Sequence, residues 1–407
     1  MDNKLFLKGL ICGVLLTVLL AGGAFFAKNL IFDRDPDGVV GGDGPDSPKS
    51  FDEKALKQIQ MLRDSIRSSY LYEVDEQAML DEISRGVMKS LGDPYSVYYT
   101  AKEYEDMLNS TDGTYYGIGV SVTPANEDKL TGAKVNKTFA GSPAEEVGLQ
   151  SGDIFLKIAG TDVTGMNLSE AAALIRGELN SYVDIVILRD GEELNFHVQR
   201  RKIEMDTVTG RMVKDDIGYI YVAEFDTITY AQFNKVFADL KKQGMKKRVL
   251  DLRENPGGLI RTASDICDKF LDEGMVVYTK DKKGRTNEYR SKTGGDETLP
   301  MVVLVDGNSA SASEIVAGAL QARNRAKIIG TTTFGKGIVQ QVFNLPGQKD
   351  GIKVTVSSYF TPADVCIHGI GIKPDIEVEL SEDYKNKKDP TDEDDNQLQA
   401  AIQELMK

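Results

Sequence analysis

The spacing of apolar residues changes character twice along the chain. In residues 51–109, Leu56, Ile59, Leu62 and Ile66, then Met79, Ile83 and Val87, recur at helical spacing and predict helices. Leu91-Gly92-Asp93-Pro94 interrupts that pattern, because Gly and Pro end helices. Between 114 and 201 the period shortens to two. Short strands are predicted at 119–122, 133–135, 154–158 and 183–188, with one helix near 169–176. From about Ile203 strands and helices alternate. Strands are expected at 217–225, 248–252, 301–306, 327–329 and 352–356, with helices at 230–243 and 262–271 and another after the turn that follows 306. This alternation implies a layered α/β core.

The two ends read differently. Residues 9–27 carry no charge, and as a helix they would span about 28 Å, close to the hydrocarbon core of a bilayer. Lys4 and Lys8 precede the run, so the positive-inside rule keeps the N-terminus cytoplasmic and sends the bulk of the chain outside. The run is longer than a signal-peptide core, and Ala24-Phe25-Phe26-Ala27 fits a cleavage site poorly, so an uncleaved anchor is expected. Residues 33–50, rich in Gly, Pro and Asp, read as a tether. The expected organisation is a cytoplasmic end (1–8), an anchor (9–27), a linker (28–50), a helical region (51–113), a strand-rich domain (114–201), an α/β core (202–385), and an acidic linker with a terminal helix (386–407). Helices at both ends of the ectodomain are compatible with a homodimer.

Charge and rare residues narrow the chemistry. A net charge of -14 without a basic stripe excludes nucleic acid as a partner. Three cysteines without CxxC make neither a disulfide framework nor a metal site, and no cofactor is expected. Only two histidines are present, His197 on a predicted strand and His368 in a loop, so an ordinary Ser-His-Asp triad has little to draw on. Two other segments carry candidate chemistry. In Asn308-Ser309-Ala310-Ser311-Ala312-Ser313-Glu314 a buried strand gives way to a helix, which puts a hydroxyl beside N–H groups able to hold an oxyanion. Taken alone, Ser311-x-x-Glu314 reads more simply as a capping box. In Thr333-Phe334-Gly335-Lys336-Gly337-Ile338-Val339-Gln340 a lysine sits between two glycines. To act as a base near neutral pH it must lose roughly 3 pK units, which costs about 4–5 kcal/mol. Phe334, Ile338 and Val339 are expected to bury it. A Ser–Lys pair would activate a hydroxyl without histidine.

Within 114–201, Gly117-Ile118-Gly119-Val120 resembles the carboxylate-binding loop of PDZ domains, and Ser142-Pro143-Ala144…Gly148-Leu149…Gly152-Asp153-Ile154 resembles a second signature of the protease-borne kind. Further on, Asp251-Leu252-Arg253-Glu254-Asn255-Pro256-Gly257-Gly258, the Ser309–Leu320 run and Thr333–Gln340 resemble the C-terminal processing peptidases, or tail-specific proteases, over nearly the whole chain. That resemblance implies an α/β core of the ClpP/crotonase type and a serine endopeptidase that takes protein substrates by free apolar C-termini. It implies Ser311 as nucleophile, Lys336 as general base and Gln340 as the residue orienting the lysine. Ala312 N–H and a glycine, Gly258 in preference to Gly257, would form the oxyanion hole. Ser309 and Ser313 are the alternative nucleophiles. Pro362–Gly369 departs from the more polar loop of relatives, which puts the wall of the site in question. A non-catalytic PDZ scaffold and an enoyl-CoA hydratase-like enzyme are the competing readings.

Overall fold

The computed structural model describes residues 48–126, 129–292, 298–387 and 390–407. The anchor expected at 9–27 lies outside them, as do Cys12 and most of the tether. Among the described residues no helix is long and apolar enough to cross a membrane. The described chain forms two compact units, residues 105–339 with 356–407, and 48–104 with 340–355.

The larger unit holds the mixed helix–sheet architecture that the sequence predicts. Its first sheet contains Val120–Thr123, Ala133–Thr138, Ile154–Ile158, Tyr182–Arg189 and Glu192–Gln199 in that spatial order. Inward positions of period two, Ala133, Val135, Phe155, Ile185 and Ile187 among them, meet Ala171 and Ile175 of helix Leu168–Ile175 in one buried cluster. The second sheet orders Val208–Lys214, Ile217–Val222, Lys247–Asp251, Met301–Val305, Lys327–Gly330 and Ile376–Glu377, parallel from the second strand onward. Parallel strands need both faces covered. Ile220, Val222, Leu250, Val303 and Val305 pack into a core shared with helices Thr229–Lys242, Ile260–Asp268 and Ala312–Ala322. Tyr219, Val249, Val302 and Leu304 face the other way, onto Leu398, Ala401 and Ile402 of helix Asn396–Met406. The acidic stretch before that helix is pinned by Arg253, which bonds both Asp251 and Asp395.

The smaller unit is helical at first, with Pro48–Ser69 and Glu76–Lys89, the latter capped by Asp75. The sequence reading missed strand Val97–Tyr99, which pairs antiparallel with residues 351–353. It is three residues long, and its partner lies far away in sequence, so no local period reveals it. Cys267 and Cys366 are both free thiols.

Candidate active site

Ser311 is the last residue before helix Ala312–Ala322 and has φ 54° and ψ -110°. A β-carbon-bearing residue is costly in that region, by about 1–3 kcal/mol, and persists only where its surroundings impose it. The restraints are visible. Ser311 N–H donates to Glu314 Oε2 at 2.8 Å, and the buried Tyr359 hydroxyl donates to Ser311 O at 3.0 Å. Ser311 and Glu314 thus stand in the capping-box arrangement. Glu314 accepts from the cap's main chain, while Ser311 Oγ is fully buried and makes no hydrogen bond.

The neighbouring serines differ. Ser309 Oγ donates to Leu252 O at 2.8 Å and accepts from Asp306 N at 2.9 Å. Ser313 Oγ donates to Asn255 O at 2.9 Å. Both hydroxyls tie the turn to residues 252–255, and of the three only Ser311 has an uncommitted Oγ.

That tie also positions the glycine loop. Asn255 O takes a second bond from Ala310 N at 3.0 Å, and Asn255 Nδ2 reaches Val222 O at 2.7 Å. An added β-carbon on Gly257 would lie 2.8 Å from Ser311 Cβ and 2.9 Å from Ala312 N, so the loop runs directly against the nucleophile candidate. Gly257 N–H is spent on Asn255 Oδ1 at 2.8 Å. Gly258, at φ 134°, has Phe225 main chain within 2.4 Å of where a β-carbon would sit. Among the described residues, neither its N–H nor that of Ala312, in the first helical turn, donates to a main-chain carbonyl outside the helix and strand ladders.

Lys336 is 3% exposed. Ile338 and Val339 are buried as expected, whereas Phe334 is 55% exposed. The flanking glycines have a backbone cause. A β-carbon on Gly337 would come within 2.5 Å of His368 N, and one on Gly335 within 3.1 Å of Gly371 N. The loop that departs from the family pattern thus lies against the lysine segment, with His368 contributing main chain there.

Sequence reading treated Glu314 only as a cap partner, yet it connects the two halves of the site. It is fully buried. Oε2 accepts from Ser311 N and Lys336 N, each at 2.8 Å, so those two nitrogens lie within twice that distance of one another. Oε1 accepts from Thr333 Oγ1 at 2.6 Å and Gly335 N at 2.8 Å. Burial raises the Glu314 pKa and outweighs the lowering by these four donors.

Gln340 falls in the smaller unit, fully buried, with Nε2 donating to Thr355 Oγ1 at 3.2 Å and Oε1 accepting no bond. Leading into the first sheet, Gly117–Val120 is held by the second signature: Ala144 N donates to Ile118 O at 2.8 Å and Ser142 Oγ to Gly119 O at 3.1 Å. Gly119 has φ 80°, and a β-carbon there would sit 2.3 Å from Ser142 Cβ. Arg176 lies over the Tyr115 ring at 5.5 Å. His197 is exposed, stacked on Tyr182 and beside Asp184. Among the described residues no group of His, Cys, Asp and Glu could hold a metal.

Comparison with known proteins decides the family. Residues 216–378 match peptidase family S41, 140–189 a PDZ domain, and 18–103 the N-terminal domain of the activating protease CtpB. A carboxy-terminal-processing protease of Bartonella bacilliformis is 37% identical over 342 residues, 82% of this chain and 77% of that protein. The chain is a carboxy-terminal processing protease of family S41. Bacillus subtilis CtpA, a carboxy-terminal processing protease, is 33% identical, with 83% of this chain and 72% of the relative covered. A putative S41 protease from Bacteroides fragilis shares the fold at TM-score 0.51 and 17% identity, covering 83% of this chain and 91% of its own. S41 proteases of this class are serine proteases, so the scaffold and hydratase readings fall away.

One acidic pair borders the glycine loop of this protease. Glu224 and Asp226 flank Phe225, whose N–H donates to Gly257 O at 2.8 Å. Burial raises both carboxyl pKa values, and Asp226 and Asp112 add repulsion to Glu224 and Asp226 respectively. Folded pKa values above the unfolded ones mean stability that is full below about pH 4 and lost as pH rises through neutrality. Glu224→Gln is expected to flatten that loss, read as a smaller drop in Tm between pH 5 and 9 than in the unmodified enzyme.

Proposed function

We propose that this protease cleaves unstructured, apolar-tailed proteins outside the cytoplasm by a Ser–Lys mechanism. Ser311 Oγ attacks the scissile carbonyl carbon while Lys336 Nζ takes its proton. The oxyanion is held by the N–H groups of Ala312 and Gly258. Collapse breaks the C–N bond, Lys336 returns the proton to the departing amine, and Ser311 retains the acyl group as an ester. Water, activated by Lys336, then hydrolyses that ester. Gln340 orients the lysine. The observation that carries this reading is the uncommitted Ser311 hydroxyl at a strained φ, on a turn whose N–H shares one Glu314 oxygen with the N–H of Lys336.

The PDZ domain captures the substrate's C-terminus. Its strand Val120–Thr123 lies at the end of its sheet, with a ladder partner on one side only among the described residues, which supports β-augmentation by a peptide. Gly117, Ile118, Gly119 and Val120 would receive the terminal carboxylate. Residues 9–27 anchor the chain in the membrane as a single span, and the enzyme works as a homodimer or a monomer on that anchor.

Digestion of an unfolded protein with and without an apolar C-terminal tail by the full-length enzyme tests the reading. Wild type is expected to degrade the tailed form faster, and Ser311→Ala neither. Cleavage by Ser311→Ala would reassign the nucleophile, and equal rates on both substrates would remove tail selection.

A further inference from the structure

The Gly92-Asp93-Pro94 break in the helical region has a use beyond ending a helix. Asp93 Oδ1 accepts from Tyr95 N at 2.9 Å, and Oδ2 accepts the Ser96 hydroxyl proton at 2.6 Å. A serine hydroxyl has one proton, so Ser96 Oγ faces its other neighbours as an acceptor. It takes the N–H of Thr355 at 3.1 Å. Thr355 Oγ1 in turn accepts from Gln340 Nε2 at 3.2 Å.

The chain of bonds has a defined direction and rigid ends. Asp93 is an acceptor at its head; burial lowers the pKa of Lys353, and the charge of Asp93 works against that lowering. The strand that starts immediately after Ser96 locks the register, with Val97 opposite Lys353 and Tyr98 opposite Ile352. Tyr98 adds a hydroxyl bond to Asp350 at 2.8 Å. At the other end Gln340 is fully buried. Its amide nitrogen is claimed by Thr355, so its Oε1 is the acceptor left over. A free glutamine side chain samples many rotamers, and burying one costs up to about 2 kcal/mol of lost freedom. Here that freedom is removed by a threonine whose own main chain is held by Ser96.

We infer that Asp93 and Ser96 are positioning residues for proteolysis, acting through Thr355 to fix the Gln340 amide with Oε1 presented. The inference rests on the reading that Gln340 orients Lys336. It gives the helical N-terminal unit a part in catalysis that its sequence does not advertise.

The test is a double-mutant cycle in the full-length enzyme on a tail-bearing substrate. Thr355→Val is isosteric and removes Oγ1, Thr355→Ser keeps it, and Ser96→Ala removes the acceptor for Thr355 N–H. Thr355→Val and Ser96→Ala are each expected to lower kcat about tenfold with KM unchanged, less than the roughly 10²-fold of a directly misplaced reacting group because they act through Gln340. Thr355→Ser is expected to keep wild-type kcat. In a Gln340→Ala background neither Thr355→Val nor Ser96→Ala should cost anything further. Losses that multiply in that background, or wild-type kcat in both single variants while Gln340→Ala is impaired, would overturn the inference. Wild-type kcat in Gln340→Ala would instead remove the role of Gln340 itself, and the inference with it.

Discussion

Lys336→Arg is expected to be as inactive as Lys336→Ala. A general base must spend part of each cycle neutral, and a guanidinium stays protonated at any working pH and has no acceptor atom. Removing a positioned base costs a factor of about 10²–10⁴. Both variants should therefore lose about that much kcat, while the proposed oxyanion donors and PDZ carboxylate loop are left in place and KM changes little. The lysine is 3% exposed, so the larger arginine head must also fit a closed space. Tm measured beside turnover separates misfolding from lost chemistry. If Lys336 serves as a positive charge and not as a base, arginine would rescue turnover well above the alanine level. That outcome would end the Ser–Lys mechanism for this enzyme.

The parts of the candidate site that are legible in the sequence are its local elements. A serine beside a helix start, a lysine between glycines and a double glycine after a buried strand each sit within a few consecutive residues. What distinguishes Ser311 from Ser309 and Ser313 is not local. Their hydroxyls are consumed by Leu252 O and Asn255 O, more than fifty residues away, and only tertiary structure reveals which hydroxyl is left over. Phe334 is exposed, not buried with Ile338 and Val339, for a related reason: apolar character gives no direction. The glycines at 335 and 337 read as a loop, yet both make room for the main chain of residues 368–371. The second layer of the site is less legible still. Tyr359 lies next to the end of strand Gly351–Phe360 with no local motif to mark it, but its hydroxyl restrains the strained Ser311 peptide. The PDZ signatures were read separately, and the bonds from Ser142 and Ala144 to Gly119 and Ile118 join them into one loop.

Glu314 shows how a correct local motif can hide a larger role, and its replacement is expected to damage stability and rate together. Four donors converge on its two oxygens. An acceptor-only carboxylate meets them all. In Glu314→Gln one oxygen becomes an NH₂ group that faces two donors and can accept from neither. Each buried donor left unmet costs about 1–3 kcal/mol, so the two together should cost roughly 2–6 kcal/mol. Against a total of about 5–15 kcal/mol, that leaves a marginal enzyme. At about 2–4 °C per kcal/mol for a domain of this size, Tm should fall by roughly 10 °C. The rate should fall further than stability alone requires. Two of the four donors are the main-chain N–H groups of Ser311 and Lys336, and misplacing reacting groups by about 1 Å can cost 10²-fold. At a temperature where Glu314→Gln is still folded, kcat is expected to drop about 10²-fold with KM little changed, since the substrate tail is held elsewhere. Thr333→Val removes one donor from Oε1 and one acceptor from Ile372 N–H while sparing both reacting residues. It should therefore lower Tm with a smaller effect on kcat. Equal losses of kcat in the two variants at matched Tm would mean that Glu314 supports the fold alone. A larger loss in Glu314→Gln would mean that one buried carboxylate sets where nucleophile and base meet.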